Sequence, residues 1–285
     1  MANLKDIKRR IGSVKNTQQI TKAMKLVAAA KLRRAQEFVI ASRPYSEKVA
    51  EVMEGLASRG NADAHPLLKR RDVKNVLIIV MAGDKGLCGP FNTNVFKTAM
   101  KIISDNEGKE ISLLLVGKKG VDFFKRRRMN ILQVYLDYGK KLNYEFAGGV
   151  AEQAMGRFTE ESTDVVYLVY NKFRNVVVQE PKAVQLLPVK APKVEEHAAI
   201  VDYEYEPSAE AVLGEVLKKY VESQIFQALL ESAASENGAR MTAMDAATKN
   251  AKEMIDSLTL SYNRARQAAI TTEIIEVVTG ADAIG

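Results

Sequence analysis

The chain has 285 residues and a formal net charge of +7, long enough for one large domain or two smaller ones. A lone cysteine, Cys88, excludes an intramolecular disulfide framework and fits a reducing compartment. No apolar run reaches the roughly 20 residues that span a bilayer, and the opening Met1–Lys8 lacks the apolar core of a signal peptide. The expectation is a protein that meets a membrane only through partners.

From Leu4 to about Gly60 only Gly12, Pro44 and Gly55 interrupt a helical composition. Leu4, Ile7, Ile11 and Val14 alternate three- and four-residue spacings, the seam of a coiled coil. Gln18 and Thr21 take the next seam positions, and Ala28, Leu32, Ala35 and Val39 follow. Such a helix extends on the order of 80 Å at 1.5 Å per residue.

The texture then changes. Val76–Met81 is a continuous β-branched run ending in Ala82-Gly83-Asp84, as expected of a buried parallel strand. A helix over 92–103, a strand over 111–116, a helix over 121–128 and a short strand over 131–135 follow. A helical stretch near 150–158 leads to a strand over 165–170. Residues 175–178 and 183–188 read as an antiparallel pair. Strands alternating with helices predict an α/β domain with a mainly parallel sheet.

Residues 191–206, with Pro192 and several charges, read as a linker to a second long helix, and Ser208 after Pro207 is a plausible N-cap. Helical spacing continues through Leu213, Val216, Leu217, Tyr220, Val221, Phe226 and Leu229. It resumes through Met244, Ala247, Ala251, Met254, Leu258, Ser261, Ala265, Ala268, Thr272 and Ile275. Gly238 in the middle costs about 1 kcal/mol against Ala, too little to stop a packed helix. Two long helices at opposite ends pair most simply as an antiparallel coiled coil. Ala28, Ala35, Ala247 and Ala251 allow close approach.

The pattern carries little enzyme chemistry. The loop Ala82–Pro90 follows the first strand, where α/β domains often hold phosphate, yet matches neither G-x-x-x-x-G-K-[ST] nor G-x-G-x-x-G. Gly117-Lys118-Lys119-Gly120 reads as a solvated turn. His65 and His197, the two histidines, are far apart and form no metal-ligand spacing with Cys88. No nucleophile, base and carboxylate are placed as a relay, so Cys88 reads as a small core or turn residue. Lys125–Arg128 and Lys5, Lys8, Arg9, Arg10 and Lys15 are basic enough for nucleic acid. The N-terminal charges, however, interleave with the apolar stripe, the ordinary appearance of a helix with one packed face. An α/β enzyme with a helical dimerisation arm and a DNA-organising coiled coil stand as the other readings.

The opening Leu4–Ile11 and Asn16–Ala29 resemble the N-terminal helix of F-type ATP synthase γ subunits of bacterial length. Ile270–Ala281 resembles that family's C-terminal signature, and Arg240–Thr248 and Asp84–Gly89 are similar to two further family segments. The resemblance implies an antiparallel coiled coil of residues 1–60 and 207–285, with a Rossmann-like α/β domain over 72–192 packed around its foot. It implies a non-catalytic rotor without cofactors, turning inside a ring of α and β subunits and joined to the ε subunit and the c-ring. Nucleotides and Mg²⁺ belong to α and β, and nucleic acid is not a partner. The rotor would sit at the cytoplasmic face of a bacterial membrane. Residue by residue, Met24 with Lys22 and Lys25 matches a contact with a β loop, and Arg266 and Gln267 match a contact with a second one. Arg240, Thr271 and Glu273 match coupling positions, and Tyr205 and Glu206 fall where the foot meets ε and the c-ring.

Overall fold

A computed structural model describes residues 4–59, 65–139, 142–189 and 209–282. The chain divides into two compact units, residues 29–240 and residues 1–28 with 241–285. Two helices contribute to both: α1 (Leu4–Arg59), which runs through Gly12 and Pro44, and α5 (Ala209–Asp282), which runs through Gly238.

The larger unit is built on a five-stranded sheet of β1 (Asn75–Met81), β2 (Glu110–Val116), β3 (Asn130–Tyr135), β4 (Val165–Phe173) and β5 (Gln179–Leu187). The strand order is β3-β2-β1-β4-β5. The first four strands are parallel and β5 is antiparallel to β4. Parallel strands need helices on both faces, which explains why β1 is apolar and buried from Val76 to Met81 rather than alternating. Val76, Ile78 and Val80 pack with Phe96 of α2 (Phe91–Asp105) and Phe124 of α3 (Lys118–Lys125). Leu77, Ile79 and Met81 belong to the opposite core, with Val150 and Phe158 of α4 (Tyr144–Thr159), Leu32 and Ala35 of α1, and Leu217, Val221 and Ile225 of α5. Each such aliphatic side chain contributes roughly 1.5–3 kcal/mol by leaving water.

Two predicted elements differ. Residues 175–178 form the turn between β4 and β5, because the Asn175 side chain accepts the backbone N–H groups of Val177 (2.9 Å) and Val178 (2.8 Å) and closes the chain. The strand that pairs with β5 is β4 itself, through to Phe173. Gly117–Gly120 is no solvated turn: α3 begins at Lys118, three residues earlier than the sequence suggests, and Gly120 is buried within it. Gly238 lies beside the β4–β5 hairpin. A Cβ there would lie 3.4 Å from the Phe173 ring and 3.6 Å from the Val176 carbonyl, in ordinary contact with the β4–β5 hairpin.

The smaller unit is an antiparallel pair of helix ends. Ile7, Thr21 and Ala28 of α1 and Met244 and Ala251 of α5 are buried, with Leu4, Ile11, Val14 and Gln18 half-buried on the same stripe. Thr248 Oγ1 lies 2.8 Å from Thr21 Oγ1, and Lys25 Nζ donates to Asp245 Oδ1 at 2.6 Å. Those two pairs fix the register, and carried along antiparallel helices they set Leu4 level with about Ala265. Beyond that point the described part of α1 offers α5 no partner. Accordingly every residue from Arg266 to Asp282 is exposed. The expected stripe is corrected in the same stretch: Met254, Ser261, Ala268, Thr272 and Ile275 face solvent, and Ile255 and Tyr262 take the packed positions beside Leu258 and Ala265.

Candidate functional site at the strand ends

The carboxyl ends of β1, β3 and β4 converge on one turn of α5, residues 235–240. Glu236 is buried there. Tyr138, just beyond β3 and itself buried, donates its hydroxyl to Glu236 Oε2 at 2.5 Å. Arg240, one helical turn on, donates from Nη2 to Glu236 Oε1 at 2.5 Å and to the Gly86 carbonyl at 3.3 Å. The pair is desolvated on both sides, with side-chain exposures of 13% and 11%, so each charge depends on the other. Burial, then the adjacent Glu236 charge, pushes the Tyr138 hydroxyl far above its ordinary value, keeping it a donor.

Gly83 lies against this arrangement. A Cβ on Gly83 would meet the Glu236 carboxyl carbon and Oε1, each at 3.1 Å, and would push the carboxylate back by a few tenths of an ångström. Next to it Ser235 Oγ donates to the Asn171 carbonyl of β4 at 3.0 Å, and Asn171 Nδ2 donates to the Phe91 carbonyl at 3.1 Å. Cys88 and Phe91 pack with Ala239. Burial is the main cause that raises the Cys88 thiol, with Glu236 acting the same way, which suits the core role expected of it.

The first two N–H groups of α3 are closed by oxygens of the loop after β1. Lys118 N donates to Asp84 Oδ1 (3.1 Å) and Lys119 N to the Gly83 carbonyl (3.0 Å), at the start of α3. Gly83 N donates to Asn92 Oδ1 at 2.8 Å beside the start of α2. These three N–H groups, at the positions where such a fold can offer donors to an anion, are thus engaged internally. Among the described residues no three His, Cys, Asp or Glu side chains are grouped as metal ligands, and no helix is long and apolar enough to cross a membrane.

Of the residues singled out in the sequence, Arg240 belongs to this site, joined to the Ala82–Pro90 loop. Met24 is half-buried and Lys22 exposed. Lys25 is engaged by Asp245, which Lys249 approaches from the other side at 3.2 Å. Arg266, Gln267, Thr271 and Glu273 are exposed on α5, where the Thr271 hydroxyl bonds its own helix at the Gln267 carbonyl, 2.9 Å. Tyr205 and Glu206, like Ser208 and His197, lie outside the described residues. Glu236 and Tyr138 were not singled out. The available signal was a carboxylate four residues before Arg240 on an otherwise Ala- and Ser-rich helix face.

The family model described as ATP synthase matches residues 3–284. An ATP synthase gamma chain of Pelotomaculum thermopropionicum is 51% identical over 284 residues, covering 100% of both chains. One of Geobacter sp. strain M21 is 50% identical over 286 residues, covering 100% of this chain and 99% of the relative. Among solved structures, a chain of the Tetrahymena thermophila mitochondrial ATP synthase central stalk and c-ring is 26% identical, with a TM-score of 0.61, over 80% of this chain and 99% of that one. A chain of the Euglena gracilis mitochondrial ATP synthase in rotational state 3 aligns over 99% of this chain and 94% of its own, with a TM-score of 0.72 at 19% identity, a likeness of fold. By sequence over its full length, and by fold, the chain belongs to the ATP synthase gamma chain family.

Proposed function

We propose that this chain is the central shaft of a rotary F-type ATP synthase, a non-catalytic subunit that couples proton-driven rotation to ATP chemistry in its partners. The full-length similarity to gamma chains carries the reading, and the end of α5 supports it. Ile270, Ile274, Ile275, Val277 and Val278 are between 47% and 67% exposed, and apolar surface of that kind marks an interaction site. A ring of α and β subunits encloses the helices, and the α/β domain meets ε and the c-ring. The shaft joins the membrane only through those partners, at the cytoplasmic face. In this reading residues 1–60 and 207–285 are the shaft and residues 72–192 its foot.

An asymmetric rod biases similar catalytic sites by touching them unequally, because only differential contact shifts an equilibrium. Met24 and Lys22 take one β contact, and Arg266 and Gln267 another. Lys25 is held by Asp245 and so contributes mainly through the shaft. Arg240, Thr271 and Glu273 link the helices to their surroundings, and Tyr205 and Glu206 belong to the contact with ε and the c-ring. The test is co-expression with the α and β subunits of one bacterial synthase. A stable complex whose ATP hydrolysis changes when residues 266–285 are removed supports the shaft. Failure to co-purify with a validated α and β pair refutes it.

A further inference from the structure

In a doubly wound sheet the crevice outside the carboxyl ends of the strands, where the strand order reverses, is the ordinary ligand site. Here the order reverses between β1 and β4, and one turn of α5 occupies that crevice. The Glu236 carboxylate lies against Gly83, in the loop that follows β1. We propose that Glu236 is a positioning residue that locks α5 to the α/β domain against rotation about its own axis, through Tyr138 and Arg240. The crevice thus serves as a torque clamp closed by the chain itself; this rests on the shaft reading.

Apolar packing alone would hold this part of α5 weakly against turning. Past Leu229 and Leu230 its buried uncharged side chains are Ser232, Ala233, Ala234, Ser235 and Ala239, small groups that form shallow ridges. Hydrogen bonds to a buried charge are directional and costly to leave unmade. Advancing the helix by one residue would turn each side chain by about 100°, carrying Glu236 away from Tyr138 and Arg240 away from the Gly86 carbonyl. The two anchors come from separate segments, the connection after β3 and the loop after β1. The Ser235 bond to the Asn171 carbonyl adds a third, from β4. Torque delivered to the domain then reaches α5 as rotation rather than as slip.

The test uses the complete synthase, reconstituted in vesicles with this chain as its shaft. ATP hydrolysis and ATP-driven proton pumping are measured together for the parent, Tyr138→Phe and Glu236→Gln. Tyr138→Phe removes one hydroxyl and keeps the ring, so it guards against simple misfolding. The clamp predicts that the share of hydrolysis not accompanied by pumping rises roughly tenfold in each variant, with the chain retained in the complex. Restoration of coupling in Glu236→Asp, which keeps the charge, would support the assignment further. An unchanged pumping-to-hydrolysis ratio in both variants overturns it. So does a proportionate loss of pumping, hydrolysis and bound chain, which would make Glu236 a structural residue only. If the parent chain fails to support coupled turnover with partners that work with their own shaft, the shaft reading falls and the clamp with it.

Discussion

Replacing Gly117 with Ala tests the geometry on which the strand-end site depends. Gly117 has φ 93° and ψ 140°, a backbone region that residues with a Cβ enter at roughly 1–3 kcal/mol. An added Cβ would stand 2.0 Å from the Ala82 carbonyl oxygen and 2.7 Å from its carbon, and both obstacles are backbone. Relief means displacing one chain from the other. That threatens the bonds from Ala82 N to the Val116 carbonyl (2.8 Å), Gly117 N to the Tyr135 carbonyl (2.8 Å) and Lys119 N to the Gly83 carbonyl (3.0 Å). At about 1 kcal/mol for each bond lost, added to the strain, the total cost is roughly 4–6 kcal/mol. Gly108 supplies the control. Its φ is 86° but nothing lies within 4 Å of its missing Cβ, so Gly108→Ala should cost only about 1–2 kcal/mol of backbone strain. Hydrogen exchange of the β1 and β2 amides, followed by mass spectrometry, reads the domain separately from the helical pair. Equal loss of protection in the two variants would refute the clash as the dominant cost.

His65 caps the turn Pro66–Leu68 by accepting the Leu67 N–H on Nδ1 at 3.2 Å, a bond open only to the deprotonated nitrogen. Burial lowers its pKa from 6.5, so its contribution is complete above that value and lost as pH falls through the folded pKa. Protection of the Leu67 amide should therefore drop on acidification in the parent chain and hold in His65→Asn, which caps without titrating. Glu152 and Lys218 line the same cavity and must be kept in both. The hydrogen bond from Lys25, followed by that from Lys249, lowers the Asp245 carboxyl below 3.8. Its contribution is present above that pH and fades as pH falls through the depressed value, whereas Asp245→Asn should show no such acid step in the exchange of residues 21–28. Arg266→Ala changes an exposed helix position, so circular dichroism and the melting of the isolated chain should be unaltered while torque or assembly with α and β falls. A large drop in melting temperature would place its role within the chain instead.

Much of this architecture was legible in the sequence because two periodicities dominate it. The stripe from Leu4 to Val39 repeats so regularly that the packed face of α1 could be read directly, and the apolar runs of β1, β2 and β4 required burial on both faces. The α5 stripe failed beyond Ala251 because Ala, Ser and Thr fill so many positions that two helical registers fit equally well. The pairing with α1, set by Thr21 and Thr248, decides between them. The start of α3 was hidden because it depends on Asp84, 34 residues upstream. Arg240 was found through its resemblance, but its partners were not. Tyr138 is 98 residues from Glu236 and Gly86 is 154 from Arg240, separations at which no local pattern announces a contact.

The unpaired stretch of α5 past Ala265 has a thermodynamic character of its own. A free peptide of that length would be at the margin of helix formation in water, mostly because nucleating the first turn is costly. Here the packed helix up to Ala265 serves as a preformed nucleus, and each further residue adds only a propagation step. The helix therefore needs no tertiary contact to begin its last turns, and its opening free energy should decline steadily towards Asp282. Whatever surface encloses those turns gains a rod already aligned for it, and by binding adds order progressively from the shaft outwards.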